Sequence, residues 1–180
     1  MALRLNLTAL SSLTTVSFEK SVYRVVVERL KDKVLSTEGN RFFPGRYHLS
    51  GEGGILYTSL TKEIAIKEIE RHAFRAMLQE RLVIAKINIR LDKVLDLTQT
   101  STLKILGLSK NDLISSDYSM TQAISMIARE VGFRGLIVPS ATSAGDNLII
   151  FENNLGKGCL IEIDDIREVI RVRQHGYTAT

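Results

Sequence analysis

A single cysteine, Cys159, stands in the 180 residues of this chain. One thiol excludes an internal disulfide and any zinc site built from several thiolates. No apolar run approaches the ~18 residues that a membrane-spanning helix needs. The opening Met1-Ala2-Leu3-Arg4 carries one positive charge, but Asn6, Thr8, Ser11, Ser12, Thr14 and Thr15 break the stretch that follows. A secretory signal needs a denser apolar core, so a reduced, cytoplasmic setting is the simplest expectation. There is no internal repeat, no low-complexity segment and no linker rich in Gly, Ser or Pro. A P-loop, a Gly-x-Ser-x-Gly elbow and a His-Glu-x-x-His helix are also missing.

What is present has an ordinary globular balance, with 44% hydrophobic and 24% charged residues. That excludes a disordered chain and fits one domain. The net charge of +4 is mild. The basic residues are interspersed with acids, as in Glu28-Arg29-Leu30-Lys31-Asp32-Lys33, rather than gathered in the stripe expected of a nucleic-acid-binding surface. A solvated surface is the preferred reading. A locally positive cleft for a small anion is the functional one, to be judged by where the arginines fall.

Residues 1–20 read as an arm and 21–180 as the domain. The β-branched run Val22-Tyr23-Arg24-Val25-Val26-Val27 reads as a strand. Residues 38–54 are turn-rich, and Ile55–Thr58 is a short strand. The spacing predicts a helix from Thr61, a good N-cap, to Glu80, with Ala65, Ile69, Ala73, Ala76 and Met77 on one stripe. Glu68 and His72 lie at its edge, whereas Glu63, Lys67 and Glu70 point elsewhere. Strands are expected at Leu82–Ile89, Gly135–Val138, Asp146–Phe151 and Cys159–Ile163, and Arg167–Arg173 is open between strand and helix. Short helical pieces are expected at Thr102–Leu106 and Lys110–Ile114, and a longer helix at Met120–Val131 stopped by Gly132. Strands and long helices do not alternate, so an α+β domain with a mixed or antiparallel sheet flanked by helices is expected rather than a doubly wound fold.

Several residues invite chemistry. Gly51-Glu52-Gly53-Gly54 reads first as a tight turn and only second as a phosphate cradle. Glu68 and His72 are helix neighbours able to share a metal, but with three histidines and no ligand cluster the ordinary reading is an exposed pair. Ser140, after a strand and beside Pro139, has no recognisable base nearby and suits a hydroxyl donor better than a nucleophile. Arg24 within a valine-rich strand either faces outward on an edge strand or is buried and needs an anion. Arg46, Tyr57 and Glu68 follow one another at intervals of eleven residues. An arginine suits pyrophosphate, an aromatic ring suits a flat ring, and a carboxylate suits a developing cation.

These segments resemble the RES-domain toxins of bacterial toxin–antitoxin modules. The resemblance rests on Tyr23-Arg24-Val25, Gly45-Arg46-Tyr47-His48-Leu49-Ser50-Gly51, Leu56-Tyr57-Thr58-Ser59 and Ala65-Ile66-Lys67-Glu68-Ile69-Glu70-Arg71-His72. It continues through Gly135-Leu136-Ile137-Val138-Pro139-Ser140-Ala141 and Asn147-Leu148-Ile149-Ile150-Phe151. Where the family usually reads Gly-Arg-Trp-Asn, this chain has Gly45-Arg46-Tyr47-His48.

The resemblance implies an α+β core similar to that of ADP-ribosyltransferase toxins, and degradation of NAD+ by phosphorolysis, hydrolysis or ADP-ribose transfer. It implies Arg24 and Arg46 as the pyrophosphate and ribose clamp, and Tyr57 packing on nicotinamide or its ribose. Glu68 would face the nicotinamide ribose, Ser140 would hydrogen-bond the dinucleotide, and Asn147 belongs with the binding residues. No cofactor beyond the NAD+ substrate is expected, with inorganic phosphate as a candidate co-substrate attracted by His48, His72 or Arg75. A helix-turn-helix antitoxin is the expected partner, and a homodimer is left open. Neither a membrane nor direct nucleic-acid binding is expected. The competing activities are an ADP-ribosyltransferase acting on a macromolecule and an RNA-binding or RNA-cleaving toxin.

Overall fold

The computed structural model describes residues 9–10, 12–72 and 80–169. Six strands run β1 (Val16–Val27), β2 (Ile55–Ser59), β3 (Leu82–Asp96), β4 (Gly135–Pro139), β5 (Asp146–Phe151) and β6 (Leu160–Glu168). The helices described along their length are α1 (Lys62–His72), α2 (Thr100–Leu106), α3 (Lys110–Ile114) and α4 (Ser119–Val131), with 3₁₀ turns at Glu28–Lys33, Glu38–Arg41 and Glu152–Asn154. The strands form one mixed sheet in the order β1-β2-β5-β4-β3-β6. Among the described strands β3 and β4 pair in parallel and the other pairs are antiparallel, which fits an α+β domain rather than a doubly wound one.

β1 also pairs along its length with β3, from Val16↔Val94 to Val27↔Leu82, so β1, β2, β5, β4 and β3 close into a ring of pairings. β6 lies along the first part of β3 and β4 along its end. Between them Lys93 takes a left-handed φ of 51°, and the β1 register shifts there, which marks a bulge at the change of partner. β3 thus continues past Ile89 to Asp96, through Arg90, Asp92 and Lys93, with Leu91 buried between them. β1 likewise begins at Val16 rather than Val22.

Alternation on the strands divides the interior. Leu148 and Ile150 of β5 face a layer with Val22, Ala85, Ile87 and Leu91, while Ile149 and Phe151 face α4 through Ile124 and Ala128. Each fully buried aliphatic side chain stabilises by roughly 1.5–3 kcal/mol. In α4 the buried residues Thr121, Ile124, Ser125 and Ala128 follow the helical period, and Gly132 ends the helix at φ 91°. At the start of α1 the Thr61 hydroxyl accepts the Ile64 N–H at 3.3 Å, as an N-cap does. Ala65 is buried on the sheet side. The expected continuation through Ala73, Ala76 and Met77 lies outside the described residues, as do Arg75, the His72 side chain and residues 170–173.

Candidate functional site

A cavity of about 480 Å³ opens between β1, β2, β5, α1 and the loop that leads from the second 3₁₀ turn to His48. Its size is ordinary for a small-molecule site. Arg24, Arg46, Tyr57, Glu68 and Asn147 all line it, although they are far apart in sequence. Ser140 is buried just behind the wall, between the lining residues Pro139 and Ala141.

Arg24 is not on an edge strand, because β1 pairs with both β2 and β3. Its Nη2 donates to the Ser36 carbonyl at 3.3 Å, and its Nη1 is buried without a partner. Burial lowers its pKa to about 10, so the side chain is still a cation at neutral pH. Arg46 is held differently. Its Nη1 donates to the carbonyls of Leu113 at 3.0 Å and Ser115 at 2.5 Å, at the C-terminal end of α3 where helix carbonyls lack internal partners. Its guanidinium lies 4.5 Å from the centre of the Tyr118 ring, a cation–π contact. Nη2 of Arg46 is again buried and unpaired. Neither arginine has a carboxylate partner in a described ion pair. A buried guanidinium nitrogen requires an acceptor.

Helix α4 fixes the Arg46 loop. Thr121 Oγ1 donates to the Arg46 carbonyl at 2.5 Å, and Gln122 Nε2 donates to the carbonyls of Gly45 and His48 at 2.9 and 3.1 Å. Glu52 accepts from the Leu49 N–H at 2.8 Å and pairs with Arg129 of α4 at 2.9 Å. The glycine-rich segment after Ser50 is therefore a turn anchored to α4, and it does not line the cavity. Gly45 has a local reason: a Cβ there would lie 2.3 Å from His48 Cε1.

His48, one of three candidate donors for phosphate, is engaged within the protein. It is buried, and both ring nitrogens are engaged: Nε2 with the Phe43 carbonyl and Nδ1 with the Tyr57 hydroxyl, each at 2.8 Å. A carbonyl only accepts, so Nε2 donates to Phe43, and Nδ1 is taken up by the Tyr57 hydroxyl. The Tyr57 oxygen in turn accepts the Tyr47 N–H at 3.0 Å. No donor is left for an anion. Burial pushes the Tyr57 phenol well above its usual range, which keeps it protonated for this chain of bonds.

Glu68 projects from α1. Its Oε1 accepts from Ser140 Oγ and from Asn147 Nδ2, both at 2.8 Å. Asn147 is itself oriented by Ser59, whose hydroxyl donates to Asn147 Oδ1 at 2.7 Å. Ser140 also accepts the N–H groups of Thr142 at 3.1 Å and Ser143 at 3.3 Å, in the turn after β4. The Ser140 hydroxyl is thus turned to the carboxylate. The site combines an oriented carboxylate, two arginines with unfilled donors and aromatic walls. It can receive a flat, anionic ligand and stabilise positive charge beside it.

Sequence reasoning did not single out Tyr118, Gln122 or the Leu113 and Ser115 carbonyls. Carbonyl contacts leave no residue-type signature, and no motif marks Tyr118 as the partner of a residue 72 positions away.

Residues 21–169 match the family model described as "RES domain". The chain is 36% identical over 116 residues to "Probable NAD(+) phosphorylase Rv3189" of Mycobacterium tuberculosis, covering 62% of this chain and 55% of that protein. It therefore spans about half the length of that relative. It is 29% identical over 132 residues to "NAD(+) phosphorylase MbcT" of Mycobacterium bovis, covering 70% of this chain and 71% of the relative. Among solved structures, a chain of the M. tuberculosis MbcT-MbcA toxin-antitoxin complex superposes with a TM-score of 0.77 at 24% identity, covering 91% of each chain. That likeness concerns the fold.

Proposed function

Because the chain belongs to the RES domain family, we propose that it cleaves the nicotinamide–ribose bond of NAD+ and transfers the ADP-ribosyl group to inorganic phosphate. The observation that carries this reading is the pair of buried, unfilled arginine donors, Nη1 of Arg24 and Nη2 of Arg46, lining one cavity with Glu68. The dinucleotide pyrophosphate supplies the acceptors those donors lack. Breaking the glycosidic bond sends its electron pair to the nicotinamide nitrogen, so the leaving group departs neutral and needs no proton. Positive charge develops on the ribose, and the Glu68 carboxylate, held at Oε1 by Ser140 and Asn147, offsets it. A phosphate oxygen then bonds to the anomeric carbon, giving ADP-ribose-1″-phosphate. Ser140 acts here as a positioning residue for Glu68. Tyr57, locked through His48, presents its ring to the nicotinamide side.

Two curated relatives are named as NAD(+) phosphorylases, which supports phosphate as the acceptor. The structural neighbour is a toxin–antitoxin complex, which supports a toxin restrained by an antitoxin partner. Its helix-turn-helix type is implied by the family resemblance alone. Proton and phosphorus NMR of NAD+ incubated with the protein, with and without phosphate, tests the reading. Nicotinamide and ADP-ribose-1″-phosphate appearing together only with phosphate is the expected result. Free ADP-ribose at saturating phosphate would make the protein a glycohydrolase, and label retained on a macromolecule a transferase.

A further inference from the structure

Tyr47 is 2% exposed, and its phenol oxygen is buried with no hydrogen-bond partner, although the residue lines the cavity. The backbone of Tyr47 is fixed, since its N–H bonds to Tyr57 and the preceding carbonyl of Arg46 is held by Thr121. Its ring packs in the layer shared with Ile124 and Phe151 and lies 6.4 Å from the Tyr57 ring. The hydroxyl sits within the electrostatic reach of Arg46, Tyr57 and Glu68, and burial pushes the phenol far above its usual range. It is therefore a neutral O–H with no acceptor, in the residue that follows the unfilled Nη2 of Arg46. A phosphoryl group carries several lone pairs on each oxygen and accepts cationic and neutral donors together. His48, the other candidate donor on this loop, is spent internally.

We propose that the Tyr47 hydroxyl is a ligand-binding donor that hydrogen-bonds a phosphoryl oxygen in this cavity, alongside Arg46. The inference rests on the proposed function for the identity of the ligands, and two sources share the chemistry: the NAD+ pyrophosphate and the attacking phosphate. Tyr47→Phe in the full chain separates them. Deleting a hydroxyl that has no partner leaves the unfolding midpoint of the ligand-free protein unchanged or raises it. In steady-state assays the KM for one substrate rises about three- to tenfold, the loss of one hydrogen bond to bound ligand. A rise for NAD+ assigns the pyrophosphate, and a rise for phosphate assigns the attacking group. Both KM values unchanged, or a lower midpoint in the absence of ligand, overturn the proposal. If the wild-type protein consumes no NAD+, the proposed function fails on its own. The donor is then read from binding: titrated ADP or inorganic phosphate raises the wild-type midpoint and raises that of Tyr47→Phe less. Equal shifts for both proteins overturn it there too.

Discussion

Five arginines away from the cavity and two in its wall are treated in opposite ways. Arg29, Arg90, Arg129, Arg134 and Arg167 each pair with a carboxylate, respectively Glu80, Glu19, Glu52, Asp92 and Asp165. Arg24 and Arg46 bond only to main-chain carbonyls in the described contacts, and each keeps one buried nitrogen unfilled. A carbonyl orients a guanidinium without cancelling its charge. Exposed pairs such as Arg90–Glu19 contribute little, because solvent screens them and two long side chains must be ordered. An unpaired buried cation costs stability, a cost that an incoming anion would offset. On the proposed function, the counter-charge for these two arginines arrives with the ligand.

Four substitutions sharpen the contrast. The largest effect is expected at the carboxylate. Glu68→Gln keeps an oxygen able to accept from Ser140 and Asn147, so the fold should survive while kcat falls on the order of 10²–10³-fold. Glu63→Gln and Glu70→Gln, exposed on other faces of α1, serve as controls expected to match wild type. Equal losses at all three positions would remove Glu68 from the mechanism.

Next comes a reciprocal pair. Arg24→Met should leave the ligand-free protein as stable as wild type, or more stable by about 1 kcal/mol, while weakening NAD+ binding at least about tenfold. Arg129→Met should do the reverse, costing about 1–2 kcal/mol because it strands the half-buried Glu52. Urea unfolding together with NAD+ titration reads both arms. A destabilised Arg24→Met would mean that its charge is already compensated in the free protein.

The Glu52 pair adds a dependence on acid. Burial opposes ionisation of Glu52, but the Leu49 N–H and Arg129 together outweigh it and hold the carboxyl below its usual value. A depressed carboxyl contributes stability above the ordinary carboxylate range and loses it as pH falls through the folded value. Arg129→Met should therefore flatten the acid limb of the stability–pH curve, and an unchanged limb would show that Arg129 contributes nothing to it. The smallest effect belongs to the exposed Arg90–Glu19 pair. Arg90→Ala should leave the thermal midpoint within experimental scatter.

Much of this site can be read in the sequence, and its limits are physical. The strand at Asp146–Phe151, the Thr61 cap and the Gly132 stop follow from local patterns and appear in the structure. Arg24 is conspicuous among valines, but whether it is paired depends on the Ser36 carbonyl and on two flanking strands. Glu68 stands out on its helix, whereas its bonds to Ser140 and Asn147 span 72 and 79 residues and arise only when β4 and β5 meet α1. His48 is visible as a departure from the family pattern. That both its ring nitrogens are engaged within the protein depends on the Phe43 carbonyl, which no residue type announces.

On the proposed function, Arg24 and Arg46 hold their unfilled donors for a pyrophosphate. Calorimetric titration of ADP-ribose, which carries the pyrophosphate without the scissile nicotinamide, tests it most directly, with adenosine as the ligand lacking phosphate. Arg24→Lys and Arg46→Lys are each expected to weaken ADP-ribose binding about tenfold, since lysine keeps the charge but loses the forked donors, and to leave adenosine binding as in wild type. ADP-ribose bound equally well by wild type and by both lysine variants would contradict it.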